Sequence, residues 1–171
     1  VICMAGGKNT AVVALQRQTG DEVWTSLSTP EIGYSPPTLI ESGGVTQLLI
    51  FHGQGLSSLN PESGDLYWSE PLATNFAMSI MAPRRDGEFL LAGGHNGKSI
   101  ALRLDDAAPR VTKVWQGSRD RGLAPVSGTP FLEDGVAYGI DGNGLFRAVR
   151  VATGERLWST ARPVNGRDDD R

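Results

Sequence analysis

The chain has 171 residues, of which 39% are hydrophobic and 20% charged, and its net charge at pH 7 is −3. That balance suits a folded globular domain and excludes the basic footprint of a nucleic-acid-binding surface. Its one cysteine, Cys3, excludes an internal disulfide framework and a Cys-rich zinc site, and no apolar run reaches the roughly 18 residues of a membrane span.

Taken in chain order, the opening "VICMAGGKNT" reads as the end of a strand followed by a turn. It has no initiating methionine, basic leader or signal-type cleavage site, so we expect a piece of a longer protein. "AVVALQRQTGDEVW" (11–24) then gives two apolar stretches around a Thr-Gly turn. From residue 37 the pattern predicts four short strands, at about 37–41, 47–51, 56–60 and 65–69. "SIMAPRRDGEFLLAGGHNGK" and "SGTPFLEDGVAYGIDGNG" open two further units in the same way. The 22 glycines and ten prolines punctuate this series of strands and turns. The end, "NGRDDDR", reads as a frayed polar tail over 163–171.

The units form a repeat. Trp24, Trp68, Trp115 and Trp158 are separated by 44, 47 and 43 residues, a period that signals stacked four-stranded units. Gly20, Gly64 and Gly154 each stand four residues before a tryptophan, after Thr19, Ser63 and Thr153. A glycine there supplies positive φ to a tight turn, and the hydroxyl before it braces that turn. Ala14, Ser58 and Ala148 stand ten residues before the indole and leave it room. In the third unit Ala101 stands 14 residues before Trp115, the glycine is missing, and four extra residues around "DDAAPR" predict a lengthened loop. The indole is expected to dock each blade onto the next, its N–H finding a carbonyl. The fold class is therefore all-β: a β-propeller of four-stranded antiparallel blades, present as a partial ring of about 3.5 blades. The expected divisions are a partial blade at 1–26 and blades at 27–70, 71–117 and 118–160, within one domain over 1–162.

The three segments "AVVALQRQTGDEVW", "GLSSLNPESGDLYW" and "GLFRAVRVATGERLW" resemble the tryptophan-docking repeat of the PQQ-like (quinoprotein-like) β-propellers. In that repeat an Asp or Asn stands two residues after the small residue. Asn60 alone is expected to keep it, with Gln16 and Arg150 replacing it elsewhere. The resemblance implies a family with seven or eight blades in complete members. Its members include dehydrogenases that bind pyrroloquinoline quinone and calcium on the ring axis, a non-catalytic outer-membrane assembly lipoprotein of the periplasm, and propellers appended to signalling chains. The repeat is common to all of them, so it does not choose a function.

Turns between second and third strands should share a face with the connections between blades, and loop-bearing faces carry function. His52, His95 and Asp141 open three of those turns. A shared metal would need ligands about 2 Å from one ion, whereas neighbouring sheets lie about 10 Å apart, so each reads as a polar hairpin residue. "GIDGNG" (139–144) lacks the helix and lysine of a phosphate loop and reads as a hairpin too. No Gly-x-Ser-x-Gly elbow is present, and the adjacent cysteine pair and haem motif of the resembling dehydrogenases are missing. Ligand candidates on the connections are Glu31, Tyr34, Asn75, Arg119 and Arg121. The expectation is a non-catalytic interaction scaffold without catalytic residue, metal or cofactor, whose partner is a protein or further blades of its own chain. Resemblance places it in the periplasm or elsewhere outside the cytoplasm. The alternative is a fragment of a PQQ-dependent quinoprotein dehydrogenase, with PQQ and calcium as cofactors.

Overall fold

The computed structural model describes residues 1–95, 97–118 and 120–165. Among these residues fifteen strands form four antiparallel sheets, each an up-and-down meander. The first sheet has three strands, β1 (Ile2–Met4), β2 (Val12–Leu15) and β3 (Glu22–Ser26). The second contains β4 (Thr38–Ser42), β5 (Val45–His52), β6 (Gly55–Leu59) and β7 (Leu66–Pro71). The third contains β8 (Arg84–Asp86), β9 (Phe89–Gly94), β10 (Lys98–Leu104) and β11 (Val111–Gln116). The fourth contains β12 (Phe131–Glu133), β13 (Val136–Ile140), β14 (Phe146–Arg150) and β15 (Arg156–Thr160). A four-residue helix, Arg162–Asn165, follows. The sheets are the blades of a partial β-propeller, without a closed ring. In the second blade the strands lie within one or two residues of the sequence expectation, and β5 and β7 run longer.

Binary patterning explains the stacking. Both faces of a middle blade are covered, so β6 is buried throughout and β5, β9 and β10 nearly so. One apolar cluster joins the first blade to the second through Val12, Ala14, Trp24, Leu48, Ile50 and Leu59. A larger one runs through the second, third and fourth blades and includes Leu49, Phe51, Trp68, Leu91, Leu102 and Trp115.

Every blade places a small residue opposite its tryptophan: Ala14 pairs with Trp24, Ser58 with Trp68, Ala101 with Trp115 and Ala148 with Trp158. A register shift follows directly in all four, leaving one outer-strand residue without a partner. Such a bulge bends the strand and turns the indole toward the neighbouring blade. The Trp24 ring covers Gly64 of the second blade so closely that a Cβ there would lie 2.6 Å from Cε3, and its N–H donates to the Pro61 carbonyl at 3.2 Å. Trp115 covers Gly154 of the fourth blade in the same way and donates to the Val151 carbonyl at 2.6 Å.

The third blade departs from the expectation in two respects. Its four extra residues do not lengthen the loop. The turn is six residues in both blades, closed by Asn60 N–H to the Asp65 carbonyl and by Asp105 N–H to the Arg110 carbonyl. The addition lies in the arms, where Arg103 pairs with Thr112 and Leu104 with Val111. Alternating apolar residues on both arms favour ladder pairing over an open loop. Nor is Asn60 alone in its role. Asn60 Oδ1 accepts from the Glu62 and Ser63 amides, and Asp105 Oδ1 accepts from Ala107 and Ala108. Asp105 therefore holds the Asp/Asn position, displaced by the longer arm, and those two amide bonds pull its carboxyl below the usual value.

This longer hairpin leans over the second blade. The Ser42 hydroxyl donates to the Asp105 carbonyl at 3.4 Å, and a Cβ on Gly43 would meet the Ala108 carbonyl carbon at 2.2 Å. Trp68, which shares an apolar cluster with Leu102 and Leu104 of the third blade, donates instead to Oε1 of Gln47 in its own blade at 2.8 Å. Its N–H therefore finds a side-chain amide oxygen of its own blade, whereas those of Trp24 and Trp115 reach backbone carbonyls of the next.

Candidate functional site

The connections between blades lie across the turns joining second and third strands, and backbone hydrogen bonds stitch the two together. Gly53 N–H donates to the Glu31 carbonyl, Thr74 N–H to Gly53, His95 N–H to Met78 and Gly142 N–H to Ala124. The result is one continuous loop-built face. Tyr34 and Phe76 stand out from it, 71% and 79% exposed. Phe76 sits in a single 3-10 turn, Asn75–Ala77, at φ 56° and ψ 28°, and Ala77 beside it has φ 50°. Non-glycine residues in this left-handed region are costly and tend to mark functional surfaces. Ala77 is buried and Phe76 is not, so the turn anchors through one side chain and presents the other. The Phe76 ring is tilted against that of His95, their centroids 6.1 Å apart.

Behind this rim the second and fourth blades carry polar groups at matching positions of the ladder. In the second blade, His52 Nδ1 accepts from the Gln54 amide at 3.4 Å, so the neutral ring carries its hydrogen on Nε2 and donates to Ser57 Oγ at 3.1 Å. Ser57 lies 3.0 Å from Ser69 Oγ. Burial pushes the His52 imidazole below its ordinary 6.5. Ser57 is buried, 1% exposed. In the fourth blade Asp141 takes the place of His52, and Arg147 that of Ser57. Arg147 Nε donates to Asp141 Oδ2 at 2.8 Å and its Nη1 to Ser159 Oγ at 2.7 Å. Arg156 Nη2 stands 3.6 Å from the same carboxylate. Burial and the neighbouring Arg147 charge lower the Arg156 guanidinium from its ordinary value, and Asp141 and Asp120 oppose this. Asp141, Arg147 and Arg156 line a cleft of about 280 Å³ that also takes in His95 and Ser118. Among the described residues, no three His, Cys, Asp or Glu side chains gather to hold a metal ion, and no helix is long and apolar enough to cross a membrane.

Of the ligand candidates, Glu31, Tyr34 and Asn75 are exposed on the connections. Arg121 is engaged between blades: its Cζ lies 5.9 Å from the centre of the Trp115 ring and its Nε donates to the Thr153 carbonyl at 2.8 Å. Arg119 lies outside the described residues. Sequence reading missed Phe76, whose only signal is a lone aromatic in a polar connection, and the pairing of Arg147 and Arg156 around Asp141.

The family model described as Outer membrane protein assembly factor BamB matches residues 1–160. The chain belongs to this family. BamB from Yersinia pestis is 27% identical over an alignment of 160 residues that covers 90% of this chain and 39% of that protein. Among solved structures, BamB from Moraxella catarrhalis superposes with a TM-score of 0.70 at 17% identity, covering 94% of this chain and 48% of that one. The computationally designed Ika8 protein superposes with a TM-score of 0.54 at 11% identity, covering 94% and 46%. This BamB-family chain thus spans less than half the length of the relatives it matches. Its loop-built face, its three covered tryptophans and its stacked sheets all lie within the BamB-matching residues.

Proposed function

We propose that this chain is a non-catalytic scaffold of a bacterial cell envelope, outside the cytoplasm, that holds a protein partner on its loop-built face. In this reading the tryptophans dock blade to blade and keep that face rigid, and no cofactor takes part. Membership of a family named for outer-membrane protein assembly supports the setting. The observation that carries the proposal is Phe76, held outward on a left-handed backbone with Tyr34 exposed on the neighbouring connection. Exposed aromatics on a rigid frame bury large area at little entropic cost, and such residues dominate protein interfaces. A partner pocket closing over Phe76 would make its truncation cost about 2 kcal/mol of binding or more.

The test is replacement of the native gene by Phe76→Ser and Tyr34→Ser variants in the source bacterium. We expect outer-membrane protein levels to fall while the variant chains accumulate normally. Unchanged outer-membrane protein levels with both substitutions combined would sink this reading.

A further inference from the structure

The charges in the cleft between the third and fourth blades do not cancel. Its walls come from two blades stacked inside the chain. Ala148 stands opposite Trp158 in the ladder, so Arg147 beside it points to the other face, back toward the third blade. In the second blade the matching positions hold His52 and Ser57, a neutral pair that satisfies itself. In the fourth, two guanidiniums share one carboxylate. Arg147 Nε and Arg156 Nη2 stand 2.8 and 3.6 Å from the same Asp141 Oδ2. The side chains of Arg147, Arg156 and Asp141 are only 8%, 18% and 12% exposed, and a charge so withdrawn from water needs a partner. Asp120 also acts on Arg156, less than Asp141 does, but it is exposed and screened by water. The lining of the cleft therefore carries one positive charge in excess.

Hydrogen-bond donors accompany that charge. Arg147 commits Nε to Asp141 and Nη1 to Ser159 Oγ, and its Nη2 bonds to none of the described residues. On the facing wall, His95 Nδ1 is buried and has no partner among the described residues either. In the Nδ1–H tautomer that imidazole donates. Guanidinium forks match the paired oxygens of a carboxylate or a phosphate. The charge chooses between them: a single carboxylate balances the excess, whereas a phosphate dianion would meet Asp141 with twice the repulsion.

We propose that this cleft binds one monovalent carboxylate, held by Arg147 Nη2 with the Arg156 charge beside it and His95 Nδ1 on the facing wall. Asp141 orients Arg147 and sets the preference for a single negative charge. Two sources carry such a group: a free small acid, or an acidic side chain of a protein seated on the loop face.

The test is nuclear magnetic resonance of the arginine Nε–H groups in the protein expressed from its whole native gene, titrated with sodium acetate at fixed pH and ionic strength. We expect the Arg147 and Arg156 resonances to move saturably with acetate and to stay in place with chloride. Arg147→Lys keeps the charge but loses the fork, and should weaken acetate binding, read on Arg156, by about tenfold or more. Asp141→Asn removes the competing carboxylate and should tighten acetate binding about tenfold, a gain that a damaged fold does not produce. N-acetylglutamate methylamide, titrated beside acetate, separates the sources: tighter binding than acetate assigns the site to a protein side chain, weaker binding to a free acid. Resonances that respond to neither carboxylate, or that move equally with chloride, overturn the proposal. An Asp141→Asn variant that binds acetate no better than the parent overturns it as well.

Discussion

Gln47 illustrates how much can depend on one buried amide. Its Nε2 donates to the Ser42 carbonyl, and its Oε1 accepts from both Ser58 and Trp68. Ser58 is the one serine among four small residues opposite a tryptophan, and it belongs to the blade whose indole bonds to Gln47. Replacing Gln47 by Leu would leave two buried donors, the Ser58 hydroxyl and the Trp68 N–H, without that acceptor and should cost about 2–3 kcal/mol in urea unfolding. A loss within a few tenths would show that water reaches them. His52 sets a pH dependence. Because its folded value is depressed below 6.5, the unfolded chain takes up the proton first as pH falls. Full stability therefore holds above pH 6.5 and declines below it, toward the folded value. Protonation would also aim a new Nδ1–H at the Gln54 amide that now donates to it. We expect His52→Gln to flatten the unfolding midpoint just below pH 6.5, and an unaltered slope would exclude His52 as its source.

At the level of strands and hairpins, identical motifs have unequal weight. Trp68 is 8% exposed and Trp158 43%. Trp68→Ala should cost about 3–5 kcal/mol, as large buried aromatics do, while Trp158→Ala in the monomeric chain should cost about 1 kcal/mol. Equal losses would mean that the indoles are stabilised within their own blades. The repeat itself was legible because its period, its Thr/Ser-Gly turns and its indoles are local signals. Counting also revealed four extra residues before Trp115, but not that they extend two paired arms, since ladder pairing depends on cross-strand neighbours that spacing alone does not register. The loop face could be placed by strand alternation. Phe76 could not, because phenylalanine gives no hint of positive φ, whereas glycine at the tight turns does.

Across the whole molecule, stability should grade from the middle outward, since each blade touches only its neighbours. The central strands β5, β6, β9 and β10 have both faces covered, while β1 and β15 are each the edge of a terminal blade. In the monomeric chain, amide exchange should be at least about tenfold slower in those four strands than in β1 and β15. Uniform protection would indicate a single cooperative unit. The long third hairpin bears on a different hazard. Blades built to one pattern can stack in the wrong order or exchange between molecules during folding. The β10–β11 arm rests over Gly43, where no side chain fits, while Gly87 and Gly135, which follow the first strands of the third and fourth blades, have open space around them. The arm therefore acts as an address label: it admits the second blade ahead of the third, and an out-of-order stack would lack that glycine seat.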